Sequence, residues 1–578
     1  MSYNWNNNRN YNNNNRNKFN DKKPNDCGYD SEKNIYPYNF VSLGNKCDVS
    51  RRKKGNLTGY INISVTSKTD LIVPFEKEND KKYNFYKYNN SYVIPGSQMR
   101  GVVRNSYEAL TNSCLSQMDD DYDDDDYNVS FRYPIGEAIK WKPCVVKYTD
   151  KGWVILEATS YKLGNDTRNN NSKGVKSVIT ERPYYCKELN RKFIFNENKN
   201  FIIVDNKYIL RFGEKTIKNG ISIKLFEFSN KSYINDCNKA SDVVENLKKN
   251  CQRYIDNLNE LNTNATADKN DNLYKDIINA INNKQPFVAY YNSNNNYLSP
   301  SNVGREMLKD TLDKMYIGYE NCTDKFQLCP ACALFGTVSN DKSLESRIRF
   351  TDLLLNNNGI NTKYNNLVSL GSHLSNYRFY ANKNWDAKDV RIRGRKYYWH
   401  HQVNCQNEEN ANTNINCMYE TLCFNENNIK KFEGKIYFED LTEKELKDLI
   451  FSIELGGNNH MLKLGHGKAF GFGSILCKCE NIYLRDIVDN KIVENEYNTF
   501  ERNTWNNYPN SKELELITKF DILKDKWPDI KYPGSPKWFA DNKKLVLASI
   551  TDVVKNKKSF NYIGNNNENK NNSSRPKR

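Results

Sequence analysis

Alternating apolar and polar positions predict a first strand, and a helical pattern follows it after a charged loop. Residues 57 to 65, LTGYINISV, alternate as a strand with one buried face requires. Residues 91 to 110 begin as a β-prone run, turn at a Pro-Gly pair and continue with apolar residues three and four apart. Ser97 is placed to cap this helix, which is therefore predicted to begin near Gln98.

The same two periodicities organise the rest of the chain. In chain order they predict a β-rich module over residues 129 to about 235, helices over 238 to 285, a helix over Arg305 to Met315, a strand over Ser346 to Leu355, a helix started by a capping box of Thr442 and Glu445, and a last strand over 470 to 479. The fold class is therefore α+β.

Composition and charge narrow the class of protein. The chain has 578 residues and a net charge of +16, which favours an acidic partner such as nucleic acid. No apolar run is long enough to span a bilayer and the N-terminus lacks a secretion signal, so we expect no membrane contact and a cytoplasmic location. The 15 cysteines, an odd number without a regular framework, fit a reducing compartment.

Shifts in composition suggest where the domains begin and end. Asn-rich runs near both ends have too few aliphatic residues to fold, and a run of aspartates at 118 to 127 is predicted to be an exposed linker. The predicted organisation is a tail over 1–34, a first core part over 35–115, an insertion over 116–300 with an acidic linker, a β-rich module and a helical segment, a second core part over 301–482, a C-terminal extension over 483–555, and a basic tail over 556–578.

Two basic stretches are candidates for holding phosphates. Arg100 and Arg104 lie four apart on the helix that follows the first strand, and we expect both to reach solvent near its positive N-terminal end. The alternative is that the two arginines are only solvated and form an ion pair with Glu108. The stretch RIRGRKYYWHH, residues 391 to 401, combines cations with aromatic rings, as single-stranded RNA requires. The other interpretation is a strand whose tyrosine and tryptophan side chains enter the core.

A glycine-rich loop and a cysteine group are further candidate sites. The glycines of residues 455 to 473 would let backbone approach a phosphate, with His466 and Lys468 adding charge, although a plain bulged hairpin also fits. Cys322, Cys329 and Cys332 have the spacing of three zinc ligands, and Cys114 is a candidate fourth. Buried free thiols are the alternative.

Three motifs in this order resemble the RAMP superfamily of CRISPR effector proteins, and the backbone subunits of type III interference complexes in particular. They are an IPGS-x-x-RG turn over Ile94 to Gly101, a C-x-x-C-x-LFG block with R-x-x-F-x-D over Cys329 to Asp352, and a G-x-GK-x-x-G-x-G loop over Gly465 to Gly473. The motifs cover roughly 57 to 115 and 304 to 480 and leave the insertion unexplained.

The resemblance implies a ferredoxin-like, RRM-related core with an antiparallel sheet, interrupted by the large β-rich insertion. It implies a subunit that binds guide RNA within an effector complex for antiviral defence, with target RNA and other effector subunits as partners. The RNA-contacting candidates are Ser97, Arg100, Arg104, Arg391, Arg393, Arg395, Lys396, Gly465, His466, Gly467 and Lys468. Some members of the family carry a structural zinc where this chain has Cys322, Cys329 and Cys332.

The resemblance also raises the question of catalysis. In the type III backbone family an aspartate in the loop after the first strand cuts target RNA with a divalent cation, and the aspartates of that loop here are Asp70 and Asp80. A guide-processing endoribonuclease of the same superfamily is the alternative; it would use histidines as general base and acid. Its candidate histidines are His400, His401, His460 and His466. A further alternative is a non-catalytic scaffold whose insertion recruits a protein partner.

Overall fold

The computed structural model describes most of the chain between residues 29 and 562. The described ranges are 29–79, 81–116, 128–132, 141–165, 181–196, 201–215, 221–261, 271–292, 296–301, 305–311, 315–316, 318–338, 343–355, 361–368, 379–382, 390–404, 416–424, 431–457, 459–508, 511–533, 538–539, 542 and 545–562. The predicted tails, 1–34 and 556–578, lie largely outside these residues. Asp80 and the aspartate run at 118–127 lie outside them entirely.

The chain divides into two compact units. The first, called here the core unit, combines Met1–Gln117, Asn321–Ser369 and Arg393–Arg578. The second, called the inserted unit, combines Met118–Glu320 and Leu370–Ile392. The chain therefore leaves the core unit twice, after Gln117 and after Ser369, and returns to it at Asn321 and at Arg393.

Helices occur in both units. In chain order they are α1 Gly96–Leu110, α2 Cys237–Leu261, α3 Asp271–Asn282, α4 Pro330–Phe335, α5 Glu443–Glu454, α6 Lys512–Thr518 and α7 Ile550–Asn556. Short 3₁₀ turns occur at Lys468–Phe470, Trp505–Asn507 and Lys524–Asp529. The predicted capping box of Thr442 and Glu445 starts α5, with both reciprocal hydrogen bonds present.

Strands make up most of the remaining regular structure. Those of the core unit before the insertion are β1 Tyr38–Val41, β2 Leu57–Ser67, β3 Pro74–Asn79, β4 Lys82–Phe85, β5 Lys87–Tyr88 and β6 Ser91–Ile94. Those of the inserted unit are β7 Asn128–Arg132, β8 Trp141–Thr149, β9 Gly152–Asn165, β10 Glu181–Cys186, β11 Arg191–Asn196, β12 Phe201–Val204, β13 Tyr208–Lys215, β14 Ile221–Ser232, β15 Phe287–Asn292, β16 Tyr297–Ser299 and β17 Arg305–Thr311. Those of the core unit after the insertion are β18 Thr337–Val338, β19 Ser343–Leu344, β20 Ile348–Phe350, β21 Leu353–Leu355, β22 Thr362–Val368, β23 Arg395–Tyr398, β24 Asn416–Leu422, β25 Lys431–Leu441, β26 Leu462–Lys463, β27 Ser474–Val488, β28 Lys491–Glu496, β29 Leu545–Leu547 and β30 Phe560–Tyr562.

The main sheet of the core unit is antiparallel. Its strands run in the order β26-β27-β2-β25-β21-β6-β5, with β20 also on β25 and β28 on β27. Along the chain, β2 is followed by α1, then β20 and β21, then β25, α5 and β27. The α+β class with antiparallel sheets is thus confirmed.

Both long helices of the core unit pack on one face of this sheet. The apolar side chains of β2, Ile61, Ile63 and Val65, are at most 2% exposed and share one hydrophobic core with Met99 of α1 and Leu449 of α5. The alternation predicted for residues 57 to 65 places these side chains on the helix side. The other face of the sheet carries the intervening residues.

The inserted unit has its own core. Its described strands form an antiparallel sheet in the order β12-β13-β14-β9-β8-β15-β16, with β10 on β9. Helices α2 and α3 pack on it through side chains such as Val244 and Ile277, which meet Trp153 and Phe287. The described strands and helices of this unit lie in the part of the sequence for which a β-rich module and helices are predicted.

Several predicted elements differ from the structure. The helix predicted over Arg305 to Met315 is wrong, because Arg305–Thr311 forms strand β17 and pairs with β7. The strand predicted over Ser346 to Leu355 is divided into β20 and β21 by a turn at Thr351 and Asp352. Among the described residues, no helix is long and apolar enough to cross a membrane.

Candidate nucleic-acid interface and metal centre

The start of α1 is held by a carboxylate from a distant turn. The helix begins at Gly96, whose N–H donates to Asp352 Oδ1 at 2.8 Å. A side chain at position 96 would collide with the backbone, since a Cβ there would lie 2.6 Å from the Phe350 carbonyl oxygen. The prediction that Ser97 caps the helix is wrong: Pro95 occupies the N-cap position without a side-chain cap, and Ser97 is exposed.

The two arginines of α1 turn toward the protein. Arg100 donates to the Phe335 carbonyl oxygen at 2.5 Å, and burial lowers the pKa of its guanidinium. Arg104 pairs with Glu108 at 2.9 Å and keeps only 13% of its side-chain surface exposed. The expectation that both arginines reach solvent is therefore wrong for Arg104, and the Glu108 pair is formed.

Glu108 lies between two arginines in the interior. Its second carboxylate oxygen pairs with Arg395 at 3.0 Å, and both side chains are 6% exposed. Arg395 also donates to the carbonyl oxygens of Ser113 and Cys114. A buried carboxylate is stable only when it is paired. Arg395 therefore stabilises the folded structure by pairing with Glu108.

Four buried cysteines meet beside this ion-pair group. The sulfurs of Cys114, Cys322, Cys329 and Cys332 all lie within 4.8 Å of one another. Cys114 Sγ is 3.4 Å from Cys332 Sγ and 3.6 Å from Cys329 Sγ. The three predicted ligands and the candidate fourth are thus brought together from both sides of the insertion.

The geometry of the cysteine cluster fits a tetrahedral metal. Zinc with Zn–S bonds of about 2.3 Å separates its thiolates by about 3.8 Å, close to the spacings seen here. Backbone N–H groups support two sulfurs: Cys329 N–H donates to Cys322 Sγ at 3.3 Å, and Cys332 N–H donates to Cys329 Sγ at 3.4 Å. Hydrogen bonds from the neighbouring thiols, that of Cys114 first, lower the pKa of Cys329, which favours one thiolate. The donor set could hold zinc as a structural ion.

A cavity of about 600 Å³ opens on the opposite side of α1, and we call it the lysine cavity. It joins three sequence stretches singled out above: the outer side of α1, strand β23 and the glycine-rich loop of residues 465 to 473. Its wall includes Gln98, Gly101, Asn105, Lys396, Tyr398, Lys463, Gly465, His466 and Lys468. None of the described residues that line it is Asp or Glu.

Three lysines line the cavity. Lys396 lies with Nζ 3.9 Å from the centroid of the Tyr38 ring. Lys463 donates to the carbonyl oxygens of Gly471 and Phe472, and burial lowers its pKa well below the ordinary value. Burial also lowers the pKa of Lys468, and within the described residues no acceptor lies within hydrogen-bond distance of its Nζ. Lys468 is therefore the wall lysine whose amino group is engaged neither by an acceptor nor by a carboxylate of the wall within the described residues.

Backbone geometry explains the glycines of the loop. Gly465 has φ of +82°, and a Cβ there would lie 2.2 Å from the Ile72 carbonyl oxygen. Gly473 has φ of +71°, and a Cβ there would lie 1.9 Å from the Leu464 carbonyl oxygen. Both positions therefore admit only glycine, and the loop is held closely against the segment that follows β2.

The histidines differ in their access to the cavity. His400 is 2% exposed, and its two ring nitrogens bond Ser474 Oγ at 3.0 Å and the Met461 carbonyl oxygen at 3.1 Å. Burial lowers the pKa of His401 to about 3, and it lowers that of His460 as well. His466 is exposed on the cavity wall, with its ring 4.6 Å from that of Tyr419. The described structure does not bring two accessible histidines together.

The basic stretch 391 to 401 is divided by the fold. Arg391 belongs to the inserted unit, where its N–H donates to Asn382 Oδ1. Arg393 donates to the Leu547 carbonyl oxygen at 2.6 Å, and Arg395 is buried as described above. Trp399, also predicted as a core residue in the alternative interpretation, is fully buried. This stretch has four basic residues that are predicted to contact RNA. Of these four, Lys396 lines the lysine cavity.

Asp70 lies at a second cavity of about 610 Å³, with Lys68 and Lys524 in its wall. Its carboxylate accepts the Phe424 N–H at 2.8 Å and pairs with Lys363 at 2.8 Å. Its carbonyl oxygen accepts the N–H of Gly473, so the residue holds the glycine-rich loop in place. Asp80, the other catalytic candidate, lies outside the described residues.

Lys463 is a wall residue of the cavity that was not predicted from the sequence. The residue stands within the glycine-rich stretch, between Leu462 and Leu464, which are buried. The sequence signal for such a wall residue is a lysine at the polar position of a run in which apolar and polar residues alternate. Lys463 becomes part of the cavity wall because residues of α1 and β23, which are distant in sequence, line the same cavity.

Comparison with known proteins finds a family match over part of the chain. Residues 287–476, about a third of the chain, match the family model described as RAMP superfamily. No curated protein matches the sequence. The crystal structure of Thermofilum pendens Csc2 is similar at 11% sequence identity over 74% of this chain and 82% of that chain, with a TM-score of 0.16, which is too low to establish a shared fold. The resemblance of this chain to the RAMP superfamily is confirmed, over residues 287–476.

Proposed function

We propose that this protein is a CRISPR-associated RAMP protein that binds guide RNA within a type III-like effector complex for antiviral defence. The single observation that carries the proposal is the lysine cavity, whose described wall holds Lys396, Lys463 and Lys468 and no carboxylate. The match to the RAMP superfamily supports it, and so does the net charge of +16. Target RNA, other effector subunits and a cytoplasmic location belong to the same proposal.

Charge and solvation explain why the cavity suits phosphate. Removing a lysine from water disfavours its charged form, which is why burial lowers the pKa of Lys463 and of Lys468. A phosphate placed between them would restore the charged form and release counterions from the RNA. Binding of this kind depends on the backbone of the RNA and carries little sequence preference.

The order of strands supports a ferredoxin-like, RRM-related core for this proposal. With β2, the pair β20 and β21, β25 and β27 taken as strands one to four, the order across the sheet is four, one, three, two. The two helices that follow strands one and three, α1 and α5, pack on the same face. We include a structural zinc at the cysteine cluster in the proposal.

The contacts of Asp70 favour a structural task over catalysis. Its carboxylate has two strong partners, the Phe424 N–H and Lys363, and its backbone holds the glycine-rich loop. RNA binding is therefore the function we propose, and no observation within the described residues singles out a cleaving group or a divalent cation. Guide-directed cleavage that Asp70→Asn abolishes, with RNA affinity unchanged, would add catalysis to the proposal.

The test is charge reversal inside the cavity, Lys396→Glu with Lys468→Glu. The probe is a labelled single-stranded RNA carrying the CRISPR repeat of the host, measured by filter binding over a series of KCl concentrations. We expect the affinity at moderate salt to fall at least about tenfold. The logarithm of affinity should also depend less steeply on the logarithm of salt, by about 0.7 for each phosphate that the variant no longer binds.

The matched control is Lys33→Glu with Lys54→Glu. These side chains are 77% and 83% exposed, lie outside the cavity, and change the net charge by the same amount. Equal losses in the two double variants would mean that only the overall charge matters, and the proposal would be wrong. Repeat-derived RNA that co-purifies with the wild-type protein and not with the cavity variant would support it.

A further inference from the structure

The face of the main sheet opposite the helices carries three tyrosines in a row. Tyr60 of β2 is directly opposite Tyr437 of β25 on one side and Tyr483 of β27 on the other. Side chains alternate across a strand, so the neighbours Ile61, Ile436 and Ile482 enter the core while the tyrosines face outward. We call Tyr60, Tyr437 and Tyr483 the tyrosine row.

The rings of the tyrosine row form one aromatic surface. Tyr60 and Tyr483 are stacked with ring centroids 5.0 Å apart, and Tyr60 and Tyr437 are 5.8 Å apart. Tyr60 is 7% exposed, whereas the two outer rings are partly exposed. Adjacent strands lie about 4.8 Å apart, so the row is about 10 Å wide.

Cations lie over these rings. Lys435 Nζ is 4.4 Å from the Tyr60 centroid, and the guanidinium of Arg485 is 5.1 Å from Tyr60 and 5.3 Å from Tyr437. Arg349, which is exposed, lies 5.9 Å from the Tyr437 ring. Among the described residues no carboxylate lies within ion-pair distance of Lys435 or Arg349, while Arg485 pairs with Glu494 at 2.8 Å.

We propose that the tyrosine row is a second RNA-contacting surface, on which bases of single-stranded RNA stack while Arg349 and Lys435 hold phosphates. Partly exposed aromatic rings beside Arg349 and Lys435, which have no ion-pair partner among the described residues, provide what a flexible single strand requires, a surface for its bases and charge for its backbone. The inference goes beyond the proposed function, since that function concerns phosphates in the lysine cavity, whose wall includes α1 on the helix side of the sheet. It does not depend on that cavity.

The width of the row sets how much RNA it can hold. About 10 Å accommodates two bases, one on each of the two partly exposed rings, Tyr437 and Tyr483. Stacking on an aromatic side chain contributes enough for roughly a tenfold change in affinity per base, and it tolerates any base because each has a π face. The surface should therefore bind short RNA without strong sequence preference.

The test uses the full chain and a fluorescein-labelled oligouridine of ten nucleotides, with fluorescence anisotropy as the readout. Tyr437→Ala with Tyr483→Ala removes both exposed rings and keeps the buried Tyr60. Tyr437→Phe with Tyr483→Phe keeps the rings without their hydroxyls. The matched control is Tyr364→Ala, because Tyr364 is 44% exposed and lies under Lys82 at 4.4 Å on a different sheet of the core unit.

We expect the double alanine variant to lose affinity for oligouridine at least about tenfold, and the phenylalanine variant and Tyr364→Ala to bind as the wild type does. Inorganic polyphosphate, which has no bases, should bind all four proteins alike. Unchanged oligouridine binding by the double alanine variant would overturn the inference, and so would an equal loss in the phenylalanine variant. Loss of a co-purifying protein with RNA affinity intact would assign the surface to a protein partner instead.

The outcome is separable from that of the proposed function. If Lys396→Glu with Lys468→Glu binds guide RNA normally, the lysine cavity is not the phosphate site, and the tyrosine variants still decide the present inference. If the tyrosine variants bind normally while the cavity variant does not, only the tyrosine row is excluded.

Discussion

Helix α1 separates two regions that have similar basic residues in the sequence and opposite uses of them in the structure. On the side of the cysteine cluster, Arg104 and Arg395 enclose the buried carboxylate of Glu108. On the other side, Lys396 and Lys468 line a cavity whose described wall has no carboxylate. From the sequence alone, both groups are predicted to contact RNA.

The difference follows from the two kinds of cation. A guanidinium offers five N–H donors in a rigid plane, so carbonyl oxygens and a carboxylate can satisfy it completely within a folded core. Arg395 is satisfied in this way by Glu108, Ser113 and Cys114. Lysine has a compact charge on a flexible stem, and within the described residues the amino group of Lys468 is left without an acceptor on the cavity wall, where the proposed function places an external anion. Basic composition alone therefore does not tell which cations the neighbouring groups satisfy.

The largest effect is expected from removing the cysteine cluster. Cys329→Ala with Cys332→Ala should abolish stoichiometric zinc and lower the free energy of unfolding by on the order of 5 kcal/mol, because structural thiolate sites contribute directly to folding. Elemental analysis and thermal unfolding measure the two effects. Cys477→Ala with Cys479→Ala is the control, since these cysteines are buried in β27 and do not belong to the cluster. Wild-type protein without bound metal would contradict the prediction.

A smaller effect is expected from Arg395→Met. The change leaves the Glu108 carboxylate with Arg104 as its one cation and with the Ser116 hydroxyl, and we expect a loss of about 3 kcal/mol in stability with RNA affinity within twofold of the wild type at a temperature where the variant is folded. Arg393→Met is the comparison, because Arg393 donates to carbonyl oxygens of Leu547 and Ala548, and the loss there should be about 1 kcal/mol. A tenfold loss of RNA affinity in folded Arg395→Met would remove the distinction between the two sides of α1.

The smallest effect is expected from raising the pH. Burial lowers the pKa of Lys468, so in the free protein this lysine loses its proton at a lower pH than an exposed lysine does. Binding of phosphate favours the protonated form, and affinity for a labelled oligoadenylate should therefore fall severalfold between pH 7 and pH 9.5 at constant ionic strength. Lys468→Gln should show a flatter profile and Lys54→Gln the wild-type one. Parallel profiles in all three proteins would show that Lys468 does not carry the charge of the site.

Local signals predicted much of the fold. The capping box of Thr442 and Glu445 specified the start of α5, and alternation specified β2, because both depend on residues close in sequence. The start of α1 could not be specified in this way, since its cap is Asp352, more than 200 residues away. The error at Arg305 to Met315 has the same origin: its spacing fits a helix, and pairing with β7 makes it a strand.

The candidate sites show the same difference between features that depend on residues close in sequence and features that depend on distant residues. Spacing brought Cys322, Cys329 and Cys332 together correctly, because they lie within one short loop. The tyrosine row has no such short spacing in the sequence. Tyr60, Tyr437 and Tyr483 each occupy an outward position of a separate strand, and only the register of the sheet aligns them. A search for aromatic residues at polar-face positions of alternating runs would have found all three.

The cysteine cluster also bears on the order in which the protein is made. Cys114 leaves the ribosome before the segment Met118–Glu320 of the inserted unit, and Cys322, Cys329 and Cys332 leave it after that segment. Its four thiols can meet only after some 200 further residues have been synthesised, since that many separate Cys114 from Cys322. During the translation of that segment β2 and α1 therefore lack β25 and α5, with which they share a hydrophobic core in the folded protein.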